Sequence, residues 1–394
     1  MKTTQKIGLF GFGVVGTGLY QILASQEKRK HPFLLDKIAV RNHNKQRKFS
    51  THLLSTANDI YNTPQIEVVV EAIDDAQAAL QIARRTLQSG KGLISANKKM
   101  LAENLPELIG LSVKHQVPLL YEAAVCGSIP IIRNLEDYYS FHALTELNGI
   151  INGSTNYILD QMQQHQESYQ NALQKAQALG FAERDPSLDV EGFDASYKLQ
   201  ILILHAFGIY LKNEFIFRRG ISDIGIDELR YAAQNDLKIK LIASAKLNDL
   251  QQLTDALVCP TLTKKSNPLS KIGGAQNAVL VGDQHIGFQL FEGQGAGDLA
   301  TGSALFNDLS AAQRGYSYAY KRGIKTQEQP LAESSKKWVL GLKNKDLKNM
   351  RGVLPKIEKE FIIGNTYFVE CLGSIQQIKE LEKQFSFSLM RIPE

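Results

Sequence analysis

Between Ile7 and Tyr121 the chain alternates short apolar runs with helical periodicity, and this alternation limits the fold more tightly than any other feature of the sequence. Apolar runs stand at Ile7 to Phe10, Lys37 to Val40, Val68 to Val70 with Ile73, Gly92 to Ser95 and Val117 to Tyr121. They are too short for helices and carry the apolar character of strands buried on both faces. Helical patterns fill gaps between them at Thr17 to Leu23, Ala76 to Ser89 and Glu103 to His115. Strand, helix, strand in succession makes the strands parallel, so the expected first half is a doubly wound parallel sheet.

The first turn of this pattern carries Gly11, Phe12, Gly13, Val14, Val15 and Gly16, a GxGxxG spacing between strand and helix. A diphosphate must approach backbone N–H groups at a helix N-terminus, where a Cβ would block it, and the sheet is therefore read as Rossmann-type and dinucleotide-binding. An acid on the adenosine ribose would be expected after the second strand. Arg41 stands there instead, with His43, Lys45, Arg47 and Lys48 behind it, which suits a 2′-phosphate and predicts NADP(H) in preference to NAD(H). At the carboxyl edge of the fourth run, Ser95, Asn97 and Lys98 face the side where such sheets bind ligands. Glu122 ends the fifth, before a glycine-containing turn whose carbonyls suit a monovalent cation, and nearby Cys126 reads as a small buried residue.

Composition excludes several classes. Lys and Arg exceed Asp and Glu by only 45 − 40 = 5, without a long basic run, so a small anionic ligand is expected and nucleic acid is not. Cys126, Cys259 and Cys371 are far apart and lack any CxxC spacing, which argues for a reducing compartment. With no long apolar stretch, the expectation is a soluble cytoplasmic protein with no membrane partner.

The second half reads as α+β. Leu144 to Ile151 is an expected strand, followed by Asn152-Gly-Ser-Thr-Asn156, a turn able to cap the helix Tyr157 to Met162 or to offer polar groups to a substrate. A helix near Tyr169 to Leu179 leads to ERDPSLDVEGFDASYK, which gathers Glu183, Asp185, Asp189, Glu191, Asp194 and Lys198 in front of a helix apolar around most of its circumference. Asp194 and Lys198, four apart, share a face of its first turns. Strands are expected at Lys238 to Lys246 and Ala256 to Leu262, and a hairpin at Ala278 to Val281 and His285 to Leu290. Gly293, Gly295 and Gly297 form a second glycine-rich loop that opens a further helix and can close over a cofactor. After a polar linker, the tail reads strand (Trp338 to Leu342), helix (Leu354 to Phe361), strand (Thr366 to Leu372), helix (Ile375 to Phe385), strand (Phe387 to Ile392).

GFGVVGTGL, SANKK, YEAAVCGSIPIIRNL, NGSTNYIL, AERDPSLDVEGFDASYKL and GAGDLATGSA occur in this order, and through them the chain resembles the homoserine dehydrogenase family. The resemblance, along roughly residues 5–320, implies a Rossmann-type domain over residues 1–132, completed by a returning helix near 298–322, and an α+β catalytic and dimerisation domain over 133–297; the polar stretch at 323–335 reads as a linker and 336–394 as a small C-terminal α+β module, comparable to a shortened ACT-like unit. The resemblance also implies NAD(P)-dependent reversible reduction of L-aspartate 4-semialdehyde to L-homoserine by a homodimer, and with the Arg41 cluster the expected reductant is NADPH. Lys198 matches the acid/base, with Asp189 in support and Lys98 beside nicotinamide and substrate. Glu183 and Asp194 match substrate-binding positions; Asn152, Thr155 and Tyr157 are further candidates from the NGSTNY turn. Gly295 and Gly297 join the cofactor site. Glu122 and the carbonyls of Val125, Gly127 and Ile129 match a sodium or potassium site. Ala300 stands where the family often has proline, and the tail is shorter than the ACT domain of many bacterial members. Lys98 competes with Lys198 for the acid/base role. A dehydrogenase for a related amino-acid semialdehyde and a catalytically silent NADP-binding regulator are the competing functions.

Overall fold

The computed structural model describes residues 4–26, 31–43, 47, 51–343 and 353–393. They fall into two compact units: Met1–Phe141 with Ile201–Tyr210 and Gly293–Lys325, and His142–Gln200 with Leu211–Glu292 and Thr326–Glu394.

The first unit is built on six strands, β1 (Gln5–Phe10), β2 (Phe33–Ala39), β3 (Leu54–Ser55), β4 (Ile66–Glu71), β5 (Gly92–Ser95) and β6 (Leu119–Leu120), in the order β3-β2-β1-β4-β5-β6. Every neighbouring pair is parallel. Order reverses at β1, which places a crevice beyond the carboxyl ends of the strands on either side of it. Ile7, Leu9, Ile38, Val69, Val70, Leu93 and Ile94 are fully buried, as strands covered on both faces require. The helix Ala76–Gln88 starts where Asp75 accepts hydrogen bonds from the Gln77 and Ala78 N–H groups. The helix after β5 starts at Lys98, five residues earlier than its periodicity suggested, because the Asn97 side chain accepts from the Met100 N–H and caps it there. The returning helix is Asp298–Gln313. It comes so close to the helix Val14–Gln26 that a Cβ on Gly18 would overlap the Asp298 backbone, and one on Gly302 would stand 2.6 Å from the Gly18 carbonyl carbon.

The second unit holds a long sheet made of β7 (Leu144–Ile150), β8 (Leu237–Leu247), β9 (Leu253–Lys264), β10 (Gln276–Asp283), β11 (Gly287–Gln294), β12 (Lys336–Lys343), β13 (Lys356–Ile363), β14 (Thr366–Gly373) and β15 (Phe387–Ile392). Their order is β11-β10-β7-β8-β9-β15-β12-β14-β13, with Phe217–Arg218 as a short strand beside β9. The tail strands thus belong to the same sheet as the strands before them. Trp338, Leu340, Leu389 and Phe387 from the tail share one core with Phe217, Leu257 and Cys259. The stretch expected as a helix at Leu354 to Phe361 is instead strand β13, antiparallel to β14 with Phe361 opposite Phe368. Its exposed and half-buried residues alternate on either side of a register shift between Ile357 and Lys359, the rings of Tyr231, Phe361 and Phe368 stack, and Gly364 at φ 59° turns the chain between the two strands. Among the described residues no helix is long and apolar enough to cross a membrane.

Candidate functional site

The three glycines after β1 act differently. Gly11 has φ 92°, and a Cβ there would overlap the Ala72 carbonyl. A Cβ on Gly16 would stand 2.5 Å from the Gly11 carbonyl oxygen. Nothing lies within 4 Å of the place where a Gly13 Cβ would be, so the backbone is open to a ligand at the start of the helix Val14–Gln26. Phe12 lines the approach, Val14 is exposed, and Val15 is half-buried in the first turn. The turn opens into a cleft of about 1150 Å³ whose walls include Gly11, Gly13, Arg41, His43, Arg47 and Asp74. Three members of the expected basic cluster therefore share one cavity with the glycine turn; Lys45 and Lys48 lie outside the described residues.

At the next edge the side chains turn inward. Ser95 is fully buried and its hydroxyl donates to the Glu71 carboxyl at 2.5 Å, while the Asn97 amide nitrogen donates to the carbonyls of Ile73 at 3.0 Å and Asp74 at 3.4 Å. Lys98, half-buried, opens the following helix. Glu71 escaped the sequence reading, although an acid closing the run VVVE was the visible signal.

Glu122 is also buried, with Oε1 accepting from the Ile132 N–H at 2.7 Å and Oε2 from the Arg133 N–H at 2.9 Å. Asp308, distant in sequence, accepts from the Glu122 N–H at 2.9 Å and pairs with Arg133 at 2.8 Å. Two carboxyls thus face one guanidinium. Burial, with each other's charge behind it for Glu122, lifts Glu122 to about 8 and Asp308 to about 7. Of the expected carbonyl ligands, that of Ile129 already accepts from the Ile131 N–H at 2.8 Å, whereas Val125 and Gly127 stand in the same buried turn. The surplus negative charge is what a monovalent cation would compensate. Gly295 lies against this turn: a Cβ on Gly127 would come within 2.7 Å of the Gln294 and Gly295 carbonyl oxygens. Gly297, at φ 124°, precedes the helix Asp298–Gln313. Cys126 is buried, as expected.

In the second unit Asn152 accepts from the Thr155 N–H and so starts the helix Gly153–His165. Its amide nitrogen donates to Asp189 Oδ1 at 2.7 Å and to Asp194 Oδ2 at 2.9 Å. Lys198 Nζ donates to the same Asp194 oxygen at 2.7 Å and to the Ile151 carbonyl at 2.9 Å. Asp194 and Lys198 stand in the first turns of the helix Phe193–Phe207, both buried. The expected pair is thus real and sits in a wider set with Asn152 and Asp189. Two of the three ammonium protons are engaged, which leaves one to serve a ligand. Thr155 is buried and its hydroxyl donates to Asn152 Oδ1, so it supports the set from behind. Glu183 is exposed and outside these hydrogen bonds, and Tyr157 packs its ring 4.9 Å from that of Phe181. The arrangement can move a proton at a fixed point beside a negatively charged wall.

Two family profiles match the chain: "Homoserine dehydrogenase, NAD binding domain" over residues 11–122 and "Homoserine dehydrogenase" over residues 130–310. The homoserine dehydrogenase of Lactococcus lactis is 36% identical over 317 residues, 78% of this chain and 73% of that protein. That of Helicobacter pylori is 34% identical over 341 residues, covering 84% and 80%. The crystal structure of a homoserine dehydrogenase from Thiobacillus denitrificans superposes with a TM-score of 0.86 at 27% identity, covering 99% of this chain and 98% of that one.

Proposed function

The chain belongs to the homoserine dehydrogenase family, NAD(P)-dependent oxidoreductases acting on a CH–OH group, and on that premise we propose that it interconverts L-aspartate 4-semialdehyde and L-homoserine with NADPH preferred over NADH and Lys198 as acid and base. The observation that carries this reading is the buried set of Lys198, Asp194, Asn152 and Asp189. The nicotinamide ring supplies or accepts the hydride. Lys198 gives its remaining proton to the substrate oxygen as negative charge grows there, and takes it back in the oxidation of homoserine. Asp194 and the Ile151 carbonyl hold the ammonium in place, and Asn152 holds Asp194. Glu183, exposed, and Asp194 provide the negative charge that selects an α-ammonium.

Support for NADP comes from Arg41, His43 and Arg47 in the cleft beside Gly13, residues that would hold a 2′-phosphate. Glu122 and Asp308, with the Val125 and Gly127 carbonyls near, suit a sodium or potassium ion. A cytoplasmic homodimer completes the reading. The three cysteines are buried, and edge strand β11 exposes Phe288 and Leu290, an apolar edge that a second copy would cover. The reaction is a step toward threonine, isoleucine and methionine.

The test is the initial rate of NADP reduction with L-homoserine, in wild type and Lys198→Ala. Turnover should fall roughly a hundredfold or more in the variant while NADPH binding stays intact. Comparable loss in Lys98→Ala, with the pH profile displaced there and not in Lys198→Ala, would transfer the role to Lys98.

A further inference from the structure

Glu71 is the last residue of β4 and has no exposed surface. A carboxyl in such a place is costly to hold unless its oxygens are satisfied, and here they are satisfied by two different loops. Oε1 accepts from the Ile73 N–H at 2.8 Å, in the loop after its own strand. Oε2 accepts from the Ser95 hydroxyl at 2.5 Å, at the end of β5. Ser95 Oγ in turn accepts from the Asn97 N–H at 3.1 Å, and the Asn97 amide returns to the Ile73 carbonyl at 3.0 Å. The hydrogen bonds close a ring: Glu71, Ile73, Asn97, Ser95.

That ring borders one wall of the cofactor cleft and the start of the next helix. Ile73 and Asp74 line the cleft, and the Ala72 carbonyl is the atom against which Gly11 closes its turn. Asn97 caps the helix that opens with Lys98. Its bonds fix the wall facing the glycine turn and the helix carrying Lys98 relative to each other. We infer that Glu71 is a positioning residue for cofactor binding, acting through Ser95 and Ile73 to hold the cleft wall in its binding shape. This rests on the nicotinamide-cofactor reading of that cleft. Burial pushes the carboxyl up to about 7, with a lesser push from the charge of Asp74, while the bonds from Ser95 and Ile73 pull the other way. A glutamine amide keeps the acceptor for the Ile73 N–H and can donate to Ser95 Oγ once that hydroxyl turns its own proton away, so the ring survives with one bond reversed.

The experiment compares Glu71→Met, Glu71→Gln and Ser95→Ala with wild type, reading NADPH binding by fluorescence titration and both kcat and KM. Glu71→Met should raise the Kd and KM for NADPH about tenfold with kcat changed about threefold at most, and Glu71→Gln should restore binding to within about threefold of wild type. Ser95→Ala, which breaks the ring from the other side, should weaken binding in the same direction, so the inference remains open to refutation if Glu71→Met does not fold. Unchanged NADPH binding in Glu71→Met or Ser95→Ala, or a loss confined to kcat, would overturn it. Wild type that binds no nicotinamide cofactor would sink the cofactor reading itself, a distinct result.

Discussion

Replacing Glu122 by glutamine should change how stability depends on pH, and the size of the change can be worked from its surroundings. In the fold this carboxyl is buried beside Asp308 and takes up its proton near 8, against an ordinary 4.5. The folded state therefore binds more protons than the unfolded chain across that interval, and stability falls as pH rises from the unfolded value through the folded one. Each pH unit of difference is worth about 1.4 kcal/mol, so Glu122 alone sets an upper bound of about 5 kcal/mol lost between pH 4.5 and 8. Glutamine keeps the shape and an acceptor but cannot ionise. It also removes the charge that Asp308 opposes, while Asp308 keeps its Arg133 partner. Urea unfolding at pH 5.5, 7 and 8.5, in a buffer whose only cation is tetramethylammonium, should show wild type losing about 2 to 4 kcal/mol more than Glu122→Gln over that range. Potassium added at pH 8.5 should restore wild type and leave the variant unmoved. Parallel pH profiles for the two proteins would refute the reasoning, because the buried carboxylate would then carry no linkage.

Two further outcomes follow from the first unit. Arg41→Ala should raise the KM for NADP roughly tenfold or more and leave that for NAD unchanged, as loss of a charge-assisted bond to phosphate demands; an unchanged ratio in steady-state assays would remove Arg41 from cofactor selection. Gly18→Ala places a methyl group against the Asp298 backbone, and the two helices must part to admit it. Thermal unfolding should show a loss of about 2 to 3 kcal/mol, or roughly 5 to 10 °C, and an unaltered Tm would mean that the helices are not packed this closely.

The parts of the fold that the sequence discloses are those where one pattern dominates. Strand β5 has the expected limits, Gly92 to Ser95, because Leu93 and Ile94 stand between Lys91 on one side and the polar Ser95 and Asn97 on the other. The pair formed by β3 and the helix Ala57–Asn62 left no trace, since two residues of strand carry no period. The start of the helix at Lys98 was written in Asn97 as a cap, but the same SANKK stretch also reads as a loop at a sheet edge. The run KIEKEFII fits an amphipathic helix and a half-exposed strand about equally well; pairing with β14 decides it, and pairing is not a local property. The site divides similarly. Asp194 and Lys198 show themselves through a four-residue spacing on one helix, whereas Asn152 reaches Asp189 and Asp194 across 37 and 42 residues of sequence, and Asp308 meets Glu122 across 186. Glu71 differs again: the acid closing the run VVVE is visible in sequence, but whether it is buried or opens a solvated loop is decided by Ser95 on the neighbouring strand.

The position of β15 has a consequence for how the second unit comes into being. Phe387–Ile392 is the latest strand in chain order, yet it stands between β9 and β12, with β11, β10, β7, β8 and β9 on one side and β12, β14 and β13 on the other. Each of those two groups can assemble as it is made, and side chains such as Trp338 against Phe217 pack between them, but no strand links their backbones until Phe387–Ile392 is in place. Until then β9 and β12 each present an open row of backbone donors and acceptors, the kind of edge that captures strands from neighbouring chains. A strand made after both groups thus closes the sheet between them.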